Sequence, residues 1–153
     1  MFIDYSDIMF GIKNGRYFYI GSGSSRRVYD LGNNYVVKVA KNMAGREQNK
    51  AEYNISEEDS TGIFAKVIDV SYDYKMLIMR KAKKIKDMRI VWNYFNVGDK
   101  YEFYDSEYMQ RLKRQYRLLL GDFEKTSSWG LIDGRPVIID YGFTRHVERN
   151  YYR

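Results

Sequence analysis

The 153-residue chain carries 26 Lys and Arg against 20 Asp and Glu, a formal net charge of +6, with 44% apolar and 30% charged residues. That is a globular composition of single-domain length, neither disordered nor fibrous. With no cysteine and one histidine, His146, the chain excludes a disulfide framework, a Cys-ligated zinc or iron–sulfur centre and a thiol nucleophile, and it speaks against a histidine-based metal site or a Ser-His-Asp triad.

No run approaches the ~20 apolar residues of a membrane span. Met1-Phe2-Ile3-Asp4-Tyr5 lacks the basic start and apolar core of a secretory signal. The expectation is a soluble, cytoplasmic protein. Aromatic residues reach 17%, most of them the 16 tyrosines, whose rings pack while their hydroxyls stay wet.

One proline, Pro136, and the lack of a long Ser/Gly/Pro linker point to one domain over residues 1–153. The first third reads as β. Arg16 to Ile20 is aromatic and β-branched, and Gly21-Ser22-Gly23-Ser24-Ser25 breaks it. Arg27 to Leu31 resumes, Gly32-Asn33-Asn34 signals a hairpin, and Tyr35 to Ala40 forms a third strand. Good helix formers without proline predict a helix from about Gly45 to Glu58. Phe64 to Ser71 and Tyr74 to Met79 are two further β-rich runs joined by Tyr72-Asp73.

Tyr108, Met109, Leu112, Tyr116 and Leu119 repeat at helical spacing, with Asp105 or Ser106 as the cap. Leu131-Ile132, the turn Asp133-Gly134 and Val137-Ile138-Ile139 predict a short hairpin. Five strands with an inserted helix, then a helix and a hairpin, make an α+β chain with segregated layers.

Gly21-Ser22-Gly23 alone is a weak signal, and a flexible hairpin explains it equally well. Its neighbours give it meaning. Lys38 stands among apolar residues in Val36-Val37-Lys38-Val39, where an ammonium must snorkel or pair because unpaired burial costs several kcal/mol. Glu52, or alternatively Glu47, can supply the carboxylate from the following helix. Asp140 ends an apolar strand in Ile138-Ile139-Asp140-Tyr141-Gly142. Small residues that admit phosphate oxygens, a lysine to neutralise them and a carboxylate to present hard oxygens to Mg²⁺ compose a phosphate site.

On these residues the sequence resembles the protein-kinase fold over about residues 16 to 144. Gly21-Ser22-Gly23 with Val28 looks like the glycine-rich loop and Val36-Val37-Lys38 like the ATP-anchoring strand. Glu52 looks like the glutamate that pairs with that lysine, and Asp140-Tyr141-Gly142 like the metal-binding Asp-Phe-Gly. Met79 takes the gatekeeper position. Leu118 to Asp122 and Trp129 to Gly134 resemble small prokaryotic and phage kinase-like proteins, which implies a phage or bacterial source.

The resemblance implies a five-stranded antiparallel N-lobe with one helix over 1–79. A reduced C-lobe of one main helix and a hairpin follows over 80–153. It implies ATP and Mg²⁺ as cofactors. Gly21, Ser22, Gly23, Ser24, Val28, Lys38, Glu52 and Met79 would bind nucleotide. Asp140, with Ser127 or Ser128, would bind metal. Asp122 would orient or deprotonate an acceptor hydroxyl, aided by Lys38 and by Lys125 on the transferred group.

The chain also departs from the pattern. Arg26 replaces the third glycine, Leu120-Gly121 precedes Asp122 where His-Arg is usual, and a serine stands where the metal-binding Asn is usual. Only 11 residues follow Gly142, too few for an activation segment or a peptide-binding lobe. Three readings follow: a minimal phosphotransferase, a catalytically inactive pseudokinase that binds or inhibits a protein partner, and a basic nucleic-acid-binding protein. The last rests on Arg80 to Lys86 and on Arg145, Arg149 and Arg153 with Tyr151 and Tyr152. An exposed cleft also implies docking to a partner or a homodimer. Trp92, Tyr94, Phe95 and Trp129 read as packing residues. His146 reads as a surface residue, and Glu57-Glu58-Asp59 as a solvated helix end.

Overall fold

The computed structural model describes residues 2–153. It opens with a helix that the sequence reading did not contain, α1 (Tyr5–Lys13), capped by the Asp4 carboxylate accepting from the Asp7 amide at 3.0 Å. Five strands follow: β1 (Phe18–Ser22), β2 (Arg26–Gly32), β3 (Tyr35–Ala40), β4 (Val67–Val70) and β5 (Met76–Arg80). They form one antiparallel sheet in the order β1-β2-β3-β5-β4. Helix α2 (Met43–Glu58) lies between β3 and β4 in the chain, and Asn42 caps it from the Gly45 amide at 3.0 Å.

Several boundaries move. Gly21 and Ser22 belong to β1, paired with Val28 and Arg27, so only Gly23–Ser25 forms the turn. The β2–β3 turn puts Asn33 and Asn34 at φ 53° and 69°, the left-handed pair a two-residue hairpin needs. The run Phe64 to Ser71 is strand only from Val67; Phe64 makes a single parallel bridge to Ile138.

Period-two alternation sorts the sheet into two faces. Val37, Val39, Met76 and Ile78 point to the outer face, where Ile8 of α1 and its neighbours cover them. Val36, Leu77 and Met79 point inward, into a cluster with Ile55 of α2 and with Met109, Leu112, Leu118, Phe123 and Trp129. This core runs continuously from the sheet into the second half.

The second half holds more helix than the single one expected. Short helices α3 (Arg89–Tyr94) and α4 (Lys100–Asp105) precede α5 (Glu107–Tyr116). Of the two proposed caps, Ser106 is the one that accepts from the Met109 amide. Helix α5 stops before Leu119 because Arg117 turns left-handed at φ 54°. Two 3-10 turns, Leu120–Glu124 and Thr126–Ser128, lead into the hairpin. That hairpin, β7 (Trp129–Ile132) and β8 (Arg135–Ile138), gains a third strand, β6 (Lys83–Lys84), from the basic run. A last helix, α6 (Arg145–Tyr151), starts at the Thr144 cap.

The backbone ties the hairpin to the segment before β4: the Ala65 amide donates to the Ile138 carbonyl at 2.8 Å and the Ile138 amide to Ile63 at 2.7 Å. Trp129 is buried and donates its indole N–H to the Phe123 carbonyl at 2.8 Å. It packs beneath the Leu120–Glu124 turn. Phe95 packs on Phe103 and Trp129, whereas Tyr94 is largely exposed.

Candidate active site

Lys38 sits at the centre of β3, opposite Val28 of β2 and Leu77 of β5. Strand alternation turns it to the inner face, where its ammonium is buried. It donates to both Glu52 oxygens at 2.9 and 3.1 Å and to the Ile139 carbonyl at 2.5 Å. Burial pushes the Lys38 pKa down; Glu52 opposes that shift and the nearby Arg26 charge adds to it.

Glu52 is fully buried on α2 and collects donors from three segments. Besides Lys38, it accepts from the Arg26 guanidinium at 2.6 and 3.0 Å and from the Tyr141 and Gly142 amides at 2.9 and 3.1 Å. Burial alone would raise its pKa, but Arg26 and Lys38 outweigh burial and hold it at about 2. Glu47, the alternative partner, instead lies 3.9 Å from His146. Gly142 has a steric role here: a Cβ would meet the Gln48 carbonyl of α2 at 2.5 Å.

Arg26 is the residue of this site whose partners the sequence pattern does not show. It enters β2 at the position of the missing third glycine and is buried. Its guanidinium also donates to Asn49 Oδ1 and to Asp140 Oδ1, each at 3.0 Å. Burial opposes its charge, and the Glu52 and Asp140 carboxylates overcome that, so its pKa rises. A charged residue beginning a strand beside a glycine turn was the available signal.

Asp140 follows β8 with its side chain 55% exposed toward the cleft. The Asp122 side chain, on the 3-10 turn, is 27% exposed, and Lys125 lies 3.8 Å from it. Burial raises the Asp122 pKa, the charge of Asp140 adds to the rise, and Lys125 opposes it. Asp140 and Asp122 are two carboxylates, the one or two that a Mg²⁺ ion takes before phosphates and water complete its shell, and no three His, Asp or Glu side chains gather into a metal-holding cluster among the described residues.

The two serines separate. Ser127 is exposed, whereas Ser128 is buried and donates to the Asp122 carbonyl at 2.7 Å, fixing the turn that carries Asp122. Met79 is buried on β5 opposite Val36. Ser22, Gly23 and Ser24 are exposed at the rim, with Gly21 and Val28 half-buried behind them.

The C-terminal segment reaches this rim. Tyr152 Oη lies 3.0 Å from Ser24 Oγ, bonds Ser25 Oγ, and accepts from Gln48 Nε2 at 3.2 Å, while its ring meets Phe143 edge-on. The basic stretches are partly neutralised: Lys81 of the Arg80–Lys86 run pairs with Asp30 at 2.6 Å, and the C-terminal Arg153 with Glu148 at 3.0 Å. No helix among the described residues is long and apolar enough to cross a membrane.

No protein-family model and no curated protein match the sequence. Among solved structures, the chain is similar to the streptomycin–ATP ternary complex of APH(2″)-IIa, an aminoglycoside phosphotransferase, at 15% identity and a TM-score of 0.55. The match covers 93% of this chain and 71% of that one. The fold is protein-kinase-like. The five-stranded antiparallel sheet, α2 and the hairpin ending at Asp140 agree with that fold.

Proposed function

We propose that the chain binds a nucleoside triphosphate with Mg²⁺ and transfers its terminal phosphoryl group to a hydroxyl acceptor. The observation that carries this reading is the buried Lys38–Glu52 pair joined through Arg26 to the half-exposed Asp140, three segments of the chain besides α2 brought to one place. The solved neighbour, an ATP complex of a kinase-like phosphotransferase, supports nucleotide use.

In this reading the segment Gly21 to Ser24 and the Lys38 ammonium hold the phosphates, with Val28 and Met79 walling the base. Asp140 would hold the metal; Ser128 is buried with its hydroxyl on the Asp122 carbonyl, so Ser127, the exposed one of the two serines, would be the one to contribute a hydroxyl. The metal, when bound, neutralises charge on the phosphates. Asp122 accepts the acceptor O–H proton as the new O–P bond forms and the bond to the departing diphosphate breaks. Lys125 offsets charge on the transferred group.

A thermal shift with ATP and Mg²⁺ tests binding, since a ligand of the folded state raises the melting temperature by mass action. No shift at millimolar nucleotide overturns the reading. Transfer from radiolabelled ATP, lost in Asp122→Ala and in Asp140→Ala, tests chemistry.

A second reading, an inactive protein-binding module, is favoured by one observation: Arg26 already occupies an oxygen of Asp140. Nucleotide binding without turnover by the wild-type chain would select it.

A further inference from the structure

The outer face of the sheet carries a second concavity, separate from the cleft. Lys38 faces inward, while its neighbour Val39 faces outward under α1. At that outer edge, between α1, the β2–β3 ribbon and the start of α2, lies a pocket of about 550 Å³. This is within the roughly 300–1,000 Å³ range of small-ligand sites.

Five cations line it: Lys13, Arg27, Lys41, Arg46 and Lys75. No carboxylate does. Lys41 donates to the Gly23 carbonyl at 2.6 Å, and Arg46 lies 3.6 Å from Asp73. Lys13, Arg27 and Lys75 have no ion-pair partner among the described residues. Folding does not gain from gathering five like charges, because unscreened repulsion between them opposes it. Met9, Ile12, Tyr29 and Val39 supply an apolar wall on the same pocket.

We propose that this pocket binds a small anion of the phosphate-ester class bearing an apolar body. The cations recognise the phosphate oxygens and the wall between α1 and β2 takes the body. A pocket of this size suits a small molecule rather than a nucleic-acid duplex, whose contacts spread along a surface. The proposal stands on the pocket's own charges and shape and does not depend on phosphoryl transfer in the cleft.

Isothermal titration calorimetry without divalent cations tests it, with 1-naphthyl phosphate, inorganic phosphate and 1-naphthol as probes. Saturable one-site binding of naphthyl phosphate is expected. It should be at least about tenfold tighter than inorganic phosphate, as burying several apolar carbons predicts, and naphthol should show no saturable binding. Affinity should fall at high salt through screening. Arg27→Glu with Lys75→Glu should weaken binding by about tenfold or more, as charge reversal at a charge-assisted site predicts, whereas Asp140→Ala should not.

Absence of saturable binding, or undiminished binding in the double variant, overturns the proposal. So does loss of binding in Asp140→Ala alone, which would put the probe in the cleft. Should the double variant melt early, amide chemical-shift mapping on the wild-type chain decides: shifts centred on Arg27, Lys41 and Lys75 support the pocket, and shifts centred on Lys38 and Asp140 overturn it.

Discussion

Arg26 and Asp140 stand 114 positions apart in the chain and meet with the guanidinium 3.0 Å from the carboxylate. The same guanidinium grips Glu52, the partner of Lys38. One arginine at the start of β2 thus joins Glu52 to Asp140. It supplies positive charge to Asp140, the carboxylate that holds the metal in the proposed function.

Arg26→Ala should therefore uncover Asp140 and tighten binding of ATP with Mg²⁺, read as a larger nucleotide-induced rise in melting temperature than in wild type. The ligand-free variant should itself melt earlier, since Glu52 loses two charge-assisted hydrogen bonds. A smaller ligand-induced rise than in wild type would show that Arg26 helps to hold nucleotide instead of competing with metal.

Glu52→Gln should cost about 3–5 kcal/mol in chemical denaturation, because it leaves the buried Lys38 without a carboxylate partner and Arg26 with only the half-exposed Asp140. The pH dependence follows from the direction of the shift. The Glu52 pKa falls from 4.5 to about 2 on folding, so its stabilisation is complete above the unfolded value and fades as pH drops through that window. Wild-type acid unfolding should steepen there, and Glu52→Gln should lose that component.

Asp122 behaves with the opposite sign. Its pKa is raised in the fold, chiefly by burial, so the folded chain holds this proton more tightly than the unfolded one. Its contribution therefore favours the fold at low pH and fades as pH rises. The carboxyl ¹³C resonance of Asp122 should titrate above the ordinary 3.8. Lys125→Ala should move that midpoint further up, and a downward move would contradict the assigned ion pair.

Tyr152→Phe keeps the ring contact with Phe143 and deletes the hydroxyl bonds to Ser24, Ser25 and Gln48. A hydrogen bond of this kind contributes about 0.5–1.5 kcal/mol. Amide exchange in residues 21–25 should therefore accelerate by up to about tenfold, while exchange in β3 stays unchanged. Unchanged exchange in the turn would show that Tyr152 does not restrain it.

The cleft was legible where chemistry and local pattern coincide. A lysine inside Val36-Val37-Lys38-Val39 demands a buried anion, and Glu52 lies on the next helix with the spacing to provide one. Asp140 ends a β run beside a glycine that only close approach to α2 explains. Arg26 was visible as a departure from a pattern, but its partners come from α2 and from the end of β8, and no local feature links them. Helices α3 and α4 escaped because each has six residues, too few for an apolar period to show above composition. Helix α1 is signalled by the Asp4 cap and by Tyr5, Ile8, Met9 and Ile12 at helical spacing, over only nine residues.

By itself the sequence determined the alternating strands, the left-handed asparagine turn, the amphipathic α5 and the restriction to lysine, carboxylate and glycine chemistry. These follow from backbone preference and side-chain period, which act over a few residues. Tertiary structure alone decided that Arg26 closes onto Glu52 and Asp140, that Ser128 braces Asp122, and that five cations share one pocket beneath α1. Those outcomes depend on which charges become close after the core has formed. Coulombic and desolvation energies are set by distance and burial in space, and neither is encoded in separation along the chain.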